Sequence, residues 1–209
     1  MSTQAAVSVD AFFTAAFDQC PVMVIIRGKG PTETVDLCRR AWQLGVALVE
    51  VPIQDDQAVT SLHAAVSAGR ACGQPVGAGT VRTPEQVHVA AAAGAAFVVS
   101  PDWDATVGAA ARGAGLPHLP GVATATEVSQ AIHSGYRWLK AFPAAALGAS
   151  WFTAMTGPFP QARFVAVGGV GPDNAAEFLA AGASAVGAAG ALQRDDALAR
   201  LVAAVGGEE

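Results

Sequence analysis

The stretch PVGAGTVRTPEQVHVAAAAGAAFVVSP, residues 75–101, reads as a strand, a helix and a second strand in immediate succession. Its two ends are short apolar runs, and the signals that start and stop a helix lie between them. Thr83 is placed as an N-cap, Pro84 takes the first helical position, and Gln86 is spaced to close a capping box. Gly94 marks the stop, because glycine accepts the left-handed turn that ends many helices. The chain then enters AFVVSP, a run short enough to be a buried strand.

The same grammar extends in both directions. Apolar runs recur as PVMVIIR from Pro21, ALVEVPI from Ala47, PHLPGVA from Pro117, RWLKAF from Arg137, RFVAVGG from Arg163 and ASAVGAAG from Ala183. With the two runs at 75 and 96 they make eight, starting about 20 to 28 residues apart, the spacing of a strand–helix unit. Ala-rich helical segments separate them. In ATATEVSQAIHSG, Thr124 and Glu127 form another capping box and Gly135 another stop. Eight such units predict an α/β fold, a single (β/α)8 TIM barrel spanning residues 1–209. An open doubly wound sheet is the alternative, but it usually has about five or six strands. Ahead of the first unit, the segment from about Val9 to Asp18 reads as an extra amphipathic N-terminal helix.

Composition narrows the function. The chain has 209 residues, 52% of them hydrophobic and 14% charged, which suffices for a large core and argues against long disorder. The net charge is -5 with no basic cluster, so nucleic acid is excluded as an expected partner. Cys20, Cys38 and Cys72 are scattered, without the spacing of a zinc site or a disulfide framework. His63, His88, His118 and His133 show no ligand spacing either and are expected to be structural. No apolar run reaches the roughly 18 residues of a membrane span. The N-terminus lacks the basic start of a signal peptide, so a cytoplasmic protein is expected.

In a barrel of this kind, chemistry sits at the C-terminal ends of the strands. Two charged residues fall inside strand runs. Period-two alternation puts Leu48, Glu50 and Pro52 on one side of their strand, and Trp138, Lys140 and Phe142 on one side of theirs. Facing the outer helices would bury each charge in an apolar layer, at a cost of several kcal/mol. Facing inward, both enter the same cavity. Burial of an amine disfavours its charged form, and a free amine attacks a ketone to form a Schiff base. The protonated imine is an electron sink for carbon–carbon cleavage, which needs a second group to move protons. Lys140 is the candidate for the first role and Glu50 for the second; a structural ion pair inside the barrel is the alternative. Gly168-Gly169 and the Gly187–Gly190 loop are either close-packing devices or backbone donors that cradle a phosphate.

Several ordered motifs now coincide: VIIRG at 24–28, VEVPI at 49–53, VGAGTV at 76–81, VVSP at 98–101, LPGVATATE at 119–127, LKAFPA at 139–144 and VAVGGVGPDN at 165–174. From about Pro21 to Leu192 the chain resembles the class I 2-keto-3-deoxy-6-phosphogluconate / 4-hydroxy-2-oxoglutarate aldolases. Within them it is nearest to the branch acting on 2-dehydro-3-deoxy-6-phosphogalactonate. The resemblance implies Lys140 as the imine-forming lysine and Glu50 as the general acid/base. It implies Thr80, Pro101 and Phe142 as the lining of the pyruvyl pocket, and Arg27 as a holder of the substrate carboxylate. Gly168 and Gly169 would bind the phosphate, with backbone donors at Ala189 and Gly190. It further implies a homotrimer that needs no metal and no cofactor and takes a small keto-acid substrate. Some relatives carry an arginine for the carboxylate where this chain has Gln54. A threonine often precedes the glycine pair, here Val167, and a serine often stands in the last loop, here Ala188-Ala189-Gly190. An aldolase for unphosphorylated acids such as 4-hydroxy-2-oxoglutarate, and a non-catalytic keto-acid-binding barrel, are the rival expectations.

Overall fold

The computed structural model describes residues 9–189 and 196–206. Among them the strands are β1 (Val22–Ile25), β2 (Leu48–Pro52), β3 (Val76–Gly79), β4 (Val98–Val99), β5 (His118–Leu119), β6 (Gly121–Val122), β7 (Trp138–Ala141), β8 (Arg163–Val167) and β9 (Ala183–Ala188). The helices are α1 (Val9–Gln19), α2 (Pro31–Gln43), α3 (Asp56–Cys72), α4 (Pro84–Ala93), α5 (Ala105–Gly113), α6 (Ala125–His133), α7 (Ala144–Leu147), α8 (Ala149–Thr156), α9 (Ala175–Ala180) and α10 (Ala197–Val205).

All strand pairs are parallel, in the order β5-β4-β3-β2-β1-β9-β8-β7-β6. The two ends of this order, β5 and β6, are separated in sequence by Pro120 alone. The sheet is therefore a nearly closed barrel. The run PHLPGVA, expected as one strand, is divided at this proline, which has no N–H to donate to a ladder. Its carbonyl still takes part, accepting from the Lys140 N–H at 2.8 Å.

The helix signals operate as the residues predict, with one shift. Thr124 accepts from the Glu127 N–H, and the Glu127 carboxylate returns to the Thr124 N–H at 2.8 Å, a complete capping box. Thr83 accepts from the Gln86 N–H, but the Gln86 side chain reaches one residue further back, to the Arg82 N–H at 2.7 Å. Gly94 closes α4 in the left-handed conformation.

The core has two layers, sorted by strand parity. Val22, Val24, Val49, Val51, Leu139 and Ala166 join the helices outside the sheet. Met23, Ile25, Leu48, Phe97, Trp138 and Val165 fill the inside. Helix α1 belongs to the inner layer: its Phe13 and Phe17 are buried there, with the Phe17 ring 4.8 Å from that of Trp138. The Trp138 indole N–H donates to the Thr14 hydroxyl at 3.1 Å. Because Trp138 opens β7, α1 covers the N-terminal end of the interior. The C-terminal ends of the strands lie at the other end. No helix among the described residues is long and apolar enough to cross a membrane.

Candidate active site

Lys140 and Glu50 are each the third residue of their strands, β7 and β2, which are separated in the sheet by β1, β9 and β8. Each alternates with an inner-layer residue, Trp138 or Leu48, so both side chains face the interior as the period-two reading requires. Glu50 is 0% exposed and Lys140 4%.

Their surroundings differ in kind. Lys140 Nζ lies 5.2 Å from the centre of the Phe142 ring, which gives a cation a favourable aromatic face. Beside it on the neighbouring strand is Gly121, paired in register, whose missing side chain leaves room for the backbone of Pro101; a Cβ there would overlap the Pro101 carbonyl. Glu50 has neither carboxylate oxygen hydrogen-bonded to protein. Burial pushes its carboxyl above the ordinary value, while the charges of Lys140 and Arg27 pull the other way. A buried acid whose oxygens no protein donor holds is available to a ligand. It makes no hydrogen bond to Lys140.

Gly79, on the strand next to Glu50, makes this placement possible. A Cβ at Gly79 would overlap Glu50 Oε1, so the carboxylate occupies the space that a side chain would take. Gly77 does the same for the Phe97 ring. The inner face of β3 is thus glycine only. Gly79 and Gly121 were not among the expected site residues. The available signal was an isolated glycine inside a strand run, which marks a close approach by another group.

The remaining expected residues separate into groups. Arg27 stands at the exposed end of β1 and donates from Nη2 to the Thr80 hydroxyl at 3.4 Å. Thr80 itself has φ +58°, a left-handed conformation that is uncommon for a β-branched residue. Thr80, Arg27 and Glu50 belong to the neighbouring strands β3, β1 and β2, and Lys140 and Phe142 to β7 across the barrel; Pro101, after β4, stands between them, against Gly121. Gly168 and Gly169 follow β8 with φ +96° and +74°. Phe142 and Pro143 back the first, and Ala145 backs the second, so side chains at these positions would be strained as well as crowded. Ala189 is exposed directly after β9, and Gly190 lies outside the described residues. Gln54 is exposed on a small cleft of about 80 Å³ with Gly28, Lys29 and Ser61, and no described contact brings it to Glu50 or Lys140.

Comparison with known proteins decides the family. The family model described as KDPG and KHG aldolase matches residues 14–201. The chain belongs to this aldolase family. It is 36% identical over 177 residues to the 2-dehydro-3-deoxy-6-phosphogalactonate aldolase of Escherichia coli K12, covering 83% of this chain and 85% of that one. The crystal structure of the KDPG aldolase of Legionella pneumophila, with pyruvate captured as a covalent carbinolamine, superposes with a TM-score of 0.80 at 29% identity over 91% of this chain and 95% of the other. A cube-shaped protein cage designed by fusing symmetric oligomeric domains matches with a TM-score of 0.81 at 33% identity, covering 89% of this chain and 72% of that one. The aldolase motifs quoted above fall within the matched span. Among the described residues of this aldolase, no cluster of three or more His, Cys, Asp or Glu is placed to hold a metal ion.

Proposed function

We propose that the chain is a class I aldolase that reversibly cleaves a 2-keto-3-deoxy-6-phospho sugar acid to pyruvate and glyceraldehyde 3-phosphate. The observation that carries this reading is the pair of Lys140 and Glu50, buried on the inner face of opposite strands, with both Glu50 oxygens unpartnered. The Lys140 amine adds to the C2 ketone, and the carbinolamine loses water to give a protonated imine. Glu50 takes the proton from the C4 hydroxyl. The C3–C4 bonding electrons flow to the imine, the aldehyde leaves, and an enamine remains. Protonation at C3 and addition of water release pyruvate and restore the amine. Arg27 and Thr80 hold the substrate carboxylate, Pro101 and Phe142 shape the pyruvyl pocket, and Gly168, Gly169, Ala189 and Gly190 receive the phosphate.

The test is borohydride reduction in the presence of pyruvate, read by intact and peptide mass spectrometry. A reduced pyruvyl adduct is expected on Lys140 and none in Lys140→Ala. Folded wild-type protein without an adduct would overturn the reading and leave a keto-acid-binding barrel in its place.

A second reading is an aldolase for unphosphorylated acids such as 4-hydroxy-2-oxoglutarate. It is favoured by Val167, Ala188 and Ala189, which supply no hydroxyl where the phosphate would sit. Each charge-assisted hydrogen bond so lost is worth about 1.5–3 kcal/mol. Comparing kcat/KM for the phosphorylated and bare substrates separates the two.

We also read the barrel as eightfold, with β5 and β6 as one stave interrupted at Pro120, α1 as the extra N-terminal helix, and residues 1–209 as one domain. The protein acts in the cytoplasm as a homotrimer; the designed cage of symmetric oligomers that shares its fold supports self-association. Light scattering that returned the mass of one chain would sink the trimer.

A further inference from the structure

On the outer face of the sheet, behind the mouth, a chain of buried polar groups remains unexplained by the aldol chemistry. Ser100, at the end of β4, is 1% exposed, and His118 on β5 likewise. The Ser100 hydroxyl donates to the Val81 carbonyl at 2.6 Å. Its oxygen then accepts from His118 Nε2, 2.8 Å away. That assignment leaves Nδ1 as the acceptor of the ring, and the Tyr136 hydroxyl lies 3.3 Å from it. The same hydroxyl is within 3.4 Å of the Gly108 carbonyl and accepts from Arg112 Nη1 at 3.1 Å. The imidazole is neutral in this arrangement, in keeping with the low pKa that burial gives it.

The chain ends on the residue after Thr80. Val81 is held on both sides: its N–H donates to the Val99 carbonyl at 3.1 Å, and its carbonyl takes the Ser100 proton. Ser100 is in turn tied to β5 through its own N–H, which donates to Leu119 O at 3.1 Å. Thr80 is the described non-glycine residue with positive φ. Such a conformation persists where its neighbours over-determine it. The residue on the other side of Ser100 is Pro101, the wall of the pocket above Gly121.

We propose that Ser100 and His118 are positioning residues for the keto-acid carboxylate: by clamping Val81 they hold Thr80 in its left-handed conformation, with its hydroxyl toward Arg27 and the substrate. The inference rests on the aldolase reading above. It assigns the pair no contact with substrate and no proton transfer. Because a carboxylate is held alike in the bound and reacting states, loss of the clamp weakens binding more than it slows chemistry.

Borohydride trapping on Lys140 over a range of pyruvate concentrations tests this. Ser100→Ala and His118→Leu should each raise the half-saturating pyruvate concentration about tenfold or more, with the saturated trapping rate little changed. His118→Gln, whose amide can donate to Ser100 and accept from Tyr136, should recover most of the loss. In a Thr80→Ala background, Ser100→Ala should have no further effect, because both changes remove one interaction. Unchanged half-saturation in Ser100→Ala, or effects that multiply with Thr80→Ala, would overturn the proposal. Should His118→Leu fail to fold, Ser100→Ala, which removes a single oxygen, decides alone. Wild-type protein that forms no adduct defeats the aldolase reading itself, and this inference with it.

Discussion

Glu50 shows what a single buried residue contributes and what it costs. Its carboxyl titrates above the ordinary value of 4.5 because burial outweighs the nearby cations. The folded state then binds a proton that the unfolded chain has released, so stability falls as pH rises from 4.5 through the raised folded value. Glu50→Gln should therefore slow aldol cleavage by about 10²- to 10⁴-fold, the usual contribution of a general acid/base. It should also raise Tm at neutral pH, a gain that fades below pH 4.5; a variant less stable than wild type at pH 8 would contradict this. His118 has the opposite sign. Its folded pKa is lowered from 6.5 to about 3, so the unfolded chain takes up the proton first as pH falls. Stability is lost on descending from 6.5 toward 3, by about 1.4 kcal/mol for each pH unit. Denaturant titrations at pH 7 and pH 5 should show wild type losing about 2 kcal/mol more than His118→Gln over that interval.

At the scale of the element, β3 is a strand whose inner face has been emptied. Gly79→Ala adds one carbon where Glu50 Oε1 lies, and the carboxylate has to move. The expected result is a folded protein with cleavage slowed at least about 100-fold, the loss of a displaced acid/base. The double variant Glu50→Gln/Gly79→Ala should be no slower than Glu50→Gln, since both changes disable the same group. Multiplying losses, measured by steady-state kcat, would show that Gly79 matters for another reason. This strand also marks the limit of what could be read in advance. VEVPI and RWLKAF carry their facing in their alternation, and both charges fall on the inner side, as expected. VGAGTV carries no such pattern on its inner side, because the groups that fill the space of Gly77 and Gly79 come from β2 and the chain before β4. Likewise nothing in PHLPGVA separates His118–Leu119 from Gly121–Val122 until the ladder shows which N–H is missing.

In the whole molecule, the periodic βα spacing was legible because several units carry their own caps and stops, as Thr83 and Gly94 do around α4 and Thr124 and Gly135 around α6. Without the family resemblance, the candidate site was legible chiefly through its charged members. Lys140 and Glu50 stand out against an apolar chain, whereas the brace from Arg112 to Val81 joins residues that are individually ordinary. Its meaning depends on β3, β4 and β5 lying side by side. The sheet order has one more consequence. β1 pairs with β2 along one edge and with β9 along the other, through Val22–Val186, Met23–Gly187 and Val24–Ala188. During synthesis β1 leaves the ribosome with half its ladder missing, and its second partner arrives only after β2 to β8 have emerged. Fragments ending before Ala183 should therefore expose amide protons of β1 to rapid hydrogen exchange and associate through that open edge. Extending the chain past Ala188 should protect them together, in a single late step.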